Sequence, residues 1–156
     1  IHGGAFTAML AHECARAARH GGAVTLALVD LDGFKPINDS FGHSEGDRVL
    51  RAAAGTIRAA LRTADIVARI GGDEFAIILP DTGAAQAQIA MARVLAALAC
   101  VTAGGRSLAA SIGLAELAPS RDTPETLFDA ADRALYGSKR IGGGRGAPAL
   151  GYKKVE

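Results

Sequence analysis

The stretch Arg69-Ile70-Gly71-Gly72-Asp73-Glu74-Phe75-Ala76-Ile77-Ile78-Leu79-Pro80 decides how this chain is read. Two apolar runs, Ile66–Ile70 and Phe75–Leu79, flank four residues that are flexible or acidic. That is the pattern of a β-hairpin with Gly-Gly-Asp-Glu at its tip. Gly71 and Gly72 are free to take positive φ and to admit a ligand close to the backbone. Asp73 and Glu74 place two carboxylates on one tight turn, where they repel each other unless a cation or a donor lies near. A solvated acidic turn would look the same in isolation, so the remaining residues decide.

The nearest support lies upstream. Ala23–Val29 is a near-continuous apolar run, consistent with a strand buried on both faces, and it ends in Asp30-Leu31-Asp32. A buried charge is costly unless something binds it, which makes this strand end a candidate metal or ligand site. Asp32 is expected to face away from Asp30 and ranks below it.

Elsewhere the pattern is helical. Ala5–His20 reads as a helix stopped by Gly21-Gly22. It carries His12-Glu13, but Arg16 stands where a zinc-type H-E-x-x-H needs its second His. Gly33–Phe41 reads as one or two helical turns and Gly42-His43 as a turn. Ser44 with Asp47 three residues on resembles a capping pair opening a helix to about Leu61. Thr82 or Gly83 opens another helix, with Ala87, Met91, Val94, Leu95 and Leu98 inward. Val101–Gly105 is loop or weak strand, and Arg106–Leu114 is a strand that Ser111-Ile112-Gly113 bends. Pro124–Gly137 is an amphipathic helix, Gly142–Gly146 a glycine-rich break, and Ala149–Val155 an edge strand or a loose tail. From Ala23 onward the order is β-α-α-β-β-α-β-α, an α/β sandwich rather than a strictly alternating chain. Neither common nucleotide loop is present.

Composition narrows the function classes. The 156 residues fit one domain, 1–156, and the formal charge of +1 offers no global field for nucleic acid or an anionic membrane. An aromatic fraction of 4% argues against a base-stacking platform. Cys14 and Cys100 match no metal or redox spacing and suit buried packing in a reducing cytoplasm. No apolar run approaches the length of a membrane span.

Taken together, the chain resembles the GGDEF family of diguanylate cyclases along nearly its whole length. The residues that carry the resemblance are Gly71-Gly72-Asp73-Glu74-Phe75, the block from Asp30 to Asp39 (Asp-Leu-Asp-Gly-Phe-Lys-Pro-Ile-Asn-Asp), Gly42-His43 and Gly46-Asp47. Arg62-Thr63-Ala64-Asp65 stands where the family has its inhibitory R-x-x-D, and Ser111-Ile112-Gly113, Ala131-Asp132 and Ala134-Leu135-Tyr136 with Lys139 follow. The resemblance implies a palm-like nucleotidyl-cyclase fold, with a central mixed sheet, flanking helices and a protruding hairpin. It also implies conversion of two GTP to cyclic di-GMP.

The implied roles are these. Asp30, the Leu31 carbonyl, Asp73 and Glu74 hold two Mg²⁺ or Mn²⁺ ions per active site, and Glu74 also helps activate the attacking hydroxyl. Gly33, Phe34 and Lys35, joined by Lys139, hold the β- and γ-phosphates, while Gly71 and Gly72 let the nucleotide approach. Lys139 also suits a solvated surface. Asn38 and Asp47 read guanine, with Leu50 walling the pocket; capping by Asp47 and core packing by Leu50 are the alternatives. Arg62, Asp65 and Arg93 form an inhibitory cyclic di-GMP site. Catalysis needs a transient homodimer, because the product contains two nucleotides, and an upstream sensor domain is expected in the full-length, cytoplasmic protein. A module that binds cyclic di-GMP or GTP without turnover is the alternative. Two departures from the family pattern stand out. His2-Gly3 replaces the usual Asn-Arg, and the phosphate-binding Arg expected at Gly143 is displaced, leaving Arg145 or Arg140 to take its place.

Overall fold

The computed structural model describes residues 3–142 and 149–154. Its centre is β1 (Val24–Asp32), buried from Val24 to Leu31. Apart from Thr25 and Asp30 the run is apolar, because helices cover both of its faces. Val24, Leu26 and Leu28 pack with Phe6, Leu10 and Leu127 on one side. Ala27, Val29 and Leu31 pack with Val49, Ile57 and Met91 on the other.

The first layer contains α1 (Gly3–His20) and α4 (Pro124–Gly142), and the second contains α2 (Phe34–Ala60) and α3 (Ala84–Leu98). Between them lies a sheet of order β2-β3-β1-β6-β7, with β2 at Ile66–Arg69, β3 at Glu74–Pro80, β6 at Ala109–Glu116 and β7 at Ala149–Lys154. All its pairings are antiparallel except β6 with β7, so the sheet is mixed, as the sequence implied. Among the described residues no helix is long and apolar enough to cross a membrane.

Two local differences from expectation have physical causes. Residues Arg106–Leu114 are not one strand: β5 (Arg106–Ser107) folds back on β4 (Thr102–Ala103) through Gly104 and Gly105, both at positive φ, before β6 begins. A two-residue turn with positive φ at both positions suits a tight hairpin. Gly113 does not bend its strand. It sits mid-β6 because a Cβ there would lie 2.2 Å from the Leu135 nitrogen and 2.3 Å from the Ala131 oxygen, so the backbone of α4 rests directly on the sheet. The turn read at Gly42-His43 is present: Gly42 (φ 84°, ψ 169°) breaks α2 into two halves. The glycine-rich break after Gly142 lies outside the described residues.

Candidate active site

Strand register brings the acidic elements together. Asp30, only 7% exposed, lies directly opposite Glu74 on β3 and opposite Ser111 on β6. Two carboxylates facing each other across a strand pair are unfavourable on their own. Ser111 Oγ also donates to Asp32 Oδ1 at 2.9 Å. Asp32 therefore shares the face of Asp30 and does not turn away; strand alternation has a period of two, and it is Leu31 that points to the opposite layer.

The hairpin tip is stitched to that strand end. Leu31 N–H donates to the Asp73 carbonyl at 3.1 Å, and Ile70 N–H donates to the Glu74 carbonyl at 3.0 Å. Glu74 already belongs to β3, so the turn itself is residues 70–73. Arg69 folds back over it, its Nε donating to Gly71 O at 3.1 Å and its Nη2 to Gly72 O at 2.9 Å. Contrary to expectation, neither Gly71 nor Gly72 takes positive φ. What Gly71 provides is clearance, because a Cβ there would sit 3.0 Å from Glu74 Oε2.

Among the described residues, no three His, Cys, Asp or Glu side chains gather into a metal cage. Asp30, Asp73 and Glu74, with the Leu31 carbonyl, are a partial set made only of oxygen donors. That chemistry fits magnesium, which takes one or two protein carboxylates and completes its shell with water and substrate phosphates.

On the other side of the strand end, Gly33 (φ 69°, ψ 18°) starts α2 without a side-chain cap. The open amides of such a helix start favour an anion. Phe34 is buried and Lys35 exposed. Asn38 lies against Gly46, where a Cβ would come within 1.9 Å of Asn38 Oδ1. Asp47 and Leu50 line a cavity of about 560 Å³ between α2 and the β2–β3 hairpin, floored by Val67 and Phe75. Leu50, 5% exposed, is both core and cavity wall. Among the described residues no hydrogen bond joins Ser44 to Asp47, so the capping pair is not formed. Instead Glu45 holds Arg48, whose guanidinium keeps the Glu45 carboxyl below its ordinary range.

Three further arginines, Arg51, Arg58 and Arg69, line the same cavity. The sequence reading passed over them, although Asp47, Arg51, Ala54 and Arg58 form one helical stripe that was visible as spacing.

At the far end of α2, Asp65 is 3% exposed and accepts from Arg62 N at 2.8 Å and Arg62 Nη2 at 3.0 Å. The same Nη2 reaches Pro80 O at 3.0 Å and Thr82 Oγ1 at 2.7 Å. Hydrogen bonding to Asp65 raises the pKa of Arg62 further, so it stays charged. Its Nη1 makes no hydrogen bond to a described residue. Arg58 donates from both Nη atoms to the carbonyls of Asp65 and Arg62, bracing the turn. Arg93 is exposed on α3. The Lys139 side chain and Arg145 lie outside the described residues.

A mixed sheet between two helical layers, with an acidic strand end bonded to an acidic hairpin, defines the palm-like nucleotidyl-cyclase class of fold. Residues 4–145 match the family described as diguanylate cyclase, GGDEF domain. The diguanylate cyclase DgcP of Pseudomonas aeruginosa is 40% identical over 142 residues, covering 88% of this chain and 21% of DgcP. The response regulator PleD of Caulobacter vibrioides is 39% identical over 133 residues, covering 81% of this chain and 29% of PleD. The chain thus spans well under half the length of either relative. The crystal structure of the GGDEF domain of DgcB from Caulobacter crescentus, in complex with c-di-GMP, superposes with a TM-score of 0.88 at 30% identity, covering 97% of this chain and 90% of that one. The chain belongs to the GGDEF diguanylate cyclase family.

Proposed function

We propose that this chain is a single catalytic domain that condenses two GTP into cyclic di-GMP and releases two pyrophosphates. The observation that carries the reading is the register that sets Asp30 against Glu74, with Asp73 bonded through its backbone to Leu31. In each half-reaction a ribose 3′-hydroxyl loses its proton and its oxygen bonds to the α-phosphorus of the other GTP, whose bond to pyrophosphate breaks. Divalent ions, held by Asp30, Asp73, Glu74 and the Leu31 carbonyl, would neutralise phosphate charge and acidify that hydroxyl. Glu74, beside the strand end, is placed to accept the proton. The Gly33–Phe34 amides and Lys35 bind the β- and γ-phosphates, with Lys139 as a further cation.

Asn38 and Asp47 select guanine. A carboxylate accepts from guanine N1–H and N2–H, whereas adenine presents only an acceptor at N1. Each domain holds one GTP, so two domains must meet transiently for the second attack. Cyclic di-GMP also binds at Arg62 and Arg93, where Arg62 keeps Nη1 and a stacking face for the ligand while Asp65 holds it in place; this supports product inhibition, and a receptor role should turnover prove absent. Incubation with GTP and Mg²⁺, with products resolved by chromatography, tests the reaction. Formation of cyclic di-GMP by the wild type and its loss in Asp73→Ala, with the circular dichroism spectrum unchanged, is the expected result; equal turnover in both would refute the site.

A further inference from the structure

The two residues that read the base stand on opposite sides of the break in α2: Asn38 before Gly42 and Asp47 after it. A glycine break interrupts the hydrogen-bond ladder that would otherwise hold the two halves at one angle. Asn38 packs on Gly46, beside Asp47, and that contact is the only hold between the two readers that α2 itself is seen to supply among the described residues; contacts from outside the helix add to it.

The β4–β5 hairpin touches α2 on both sides of that break. Before it, the Phe41 ring lies on Gly104, where a Cβ would come within 2.4 Å of Phe41 Cε2. After it, Arg48 Nη2 donates to the Thr102 carbonyl at 2.9 Å. Glu45 aims that guanidinium, with Nε–Oε2 at 2.9 Å and Nη2–Oε1 at 2.6 Å. The hairpin is itself anchored in the core by Ala103 and Leu108, each 4% exposed. A cavity of about 500 Å³ separates it from Pro36, Ile37 and Ser40 in the first half of α2. Phe41 lines this cavity and, though 54% exposed, has its ring against Gly104.

We propose that the β4–β5 hairpin is a strap that sets base specificity: through Phe41–Gly104 and Arg48–Thr102 it fixes the angle at Gly42 and so the spacing of Asn38 and Asp47. Arg48 and Phe41 are positioning residues that need not touch the nucleotide. The inference rests on the guanine-reading role proposed for Asn38 and Asp47. Guanine differs from hypoxanthine by its exocyclic N2 amine, a donor that correctly spaced acceptors reward and misplaced ones do not.

The test is calorimetric binding of the α,β-methylene analogues of GTP and ITP, with Mg²⁺, to the wild type and to Asn38→Ala, Arg48→Ala, Arg48→Lys and Phe41→Ala. Wild type should prefer the guanine analogue. Arg48→Ala and Phe41→Ala should each weaken both analogues, because hypoxanthine keeps N1–H, but the guanine analogue by about fivefold or more beyond the hypoxanthine one, because only guanine has the N2 donor to lose. Arg48→Lys, which can still reach the Thr102 carbonyl, should retain most of the preference. A merely structural role would lower the melting temperature or weaken both analogues alike, leaving their ratio unchanged, and that result overturns the strap. If Asn38→Ala loses the preference while Arg48→Ala and Phe41→Ala keep it, the strap alone fails. If wild type shows no preference, or Asn38→Ala keeps it, the base-reading assignment fails and the strap with it.

Discussion

Replacing Gly46 by alanine should separate stability from substrate recognition. Gly46 is buried in α2 at a helical position, where alanine is the better helix former by about 1 kcal/mol. Its new Cβ, however, would stand 1.9 Å from Asn38 Oδ1, 2.9 Å from Asn38 Cγ and 3.3 Å from Phe34 Cζ. Restoring ordinary contact at 3.4 Å requires the Asn38 amide to withdraw by about 1.5 Å, the difference between the two distances. An asparagine half open to solvent can do this by changing rotamer, at a cost of about 0.5–1.5 kcal/mol that offsets the helical gain. The melting temperature should therefore move by no more than about 4 °C. Recognition should suffer more, because Asn38 can no longer reach the base. A lost hydrogen bond in a desolvated pocket costs about 1–3 kcal/mol, or roughly a five- to 150-fold weaker GTP complex. Calorimetric titration with a non-reactive GTP analogue, beside a thermal melt, measures both quantities. Wild-type affinity in a folded Gly46→Ala protein would refute the assignment of Asn38 to the base. A fall of more than about 10 °C would show instead that Asn38 is wedged in place and cannot rotate away.

Gly113→Ala should destabilise strongly, because the added Cβ meets α4 backbone at 2.2 Å and 2.3 Å and no side chain can yield; we expect a loss of about 3 kcal/mol, read as a lower urea midpoint at unchanged slope. A wild-type midpoint would mean that α4 shifts freely. Arg93→Ala should weaken cyclic di-GMP binding by about tenfold with an unchanged melt. Arg62→Ala should weaken it at least as much and also lower the melting temperature, because buried Asp65 loses its side-chain partner. Calorimetry showing wild-type affinity in both would exclude this site. Cys14 is buried and faces Asp122, Glu125 and Glu13, and desolvation followed by those charges pushes its thiol up to about 11. Since the thiolate is the reactive form, maleimide at neutral pH should label exposed Cys100 and spare Cys14, with Cys14 reacting only as the pH approaches its raised value; mass spectrometry of the peptides checks this.

Much of this arrangement was legible in the sequence because it rests on local chemistry. The apolar run ending in Asp30 read as a buried strand with a candidate ligand site at its end, and Gly-Gly between two apolar runs as a turn; the strand and the turn are both present. The face of Asp32 was legible and misread: residues two apart in a strand share a face, and the bond from Ser111 to Asp32 agrees. Two other features were not legible, each because it depends on contacts distant in sequence. The split of residues 106–114 depends on pairing with β4 and on burial of Leu108, neither of which the alternating pattern encodes. Gly113 looked like a bend because a glycine in a strand has the same signature whether it turns the chain or admits a helix. Arg69 beside the tip was visible, but its hydrogen bonds to Gly71 and Gly72 follow from three-dimensional folding of a long side chain.

The two faces of β1 put a condition on the proposed nucleotide site. Asp30 and Glu74 lie toward the α1–α4 layer, in the same alternation as Leu26, Leu28 and Ile78. The cavity with Asp47 and Leu50 opens on the α2 side, over Val67 and Phe75. A nucleotide whose base occupies that cavity and whose α-phosphate meets Asp30 must therefore cross the end of β1, where the chain turns from Asp32 into α2. Gly33 makes that turn at φ 69°, a conformation that costs other residues about 1 kcal/mol or more. Nothing lies within 4 Å of the Cβ it lacks, so the requirement is for backbone conformation and not for space inside the fold. An alanine there would strain the turn and place a methyl on the path of the phosphates, weakening triphosphate binding even where the core is untouched. In the proposed reading, the acidic strand end and the cavity beside Asp47 become one site only through the residue that joins them.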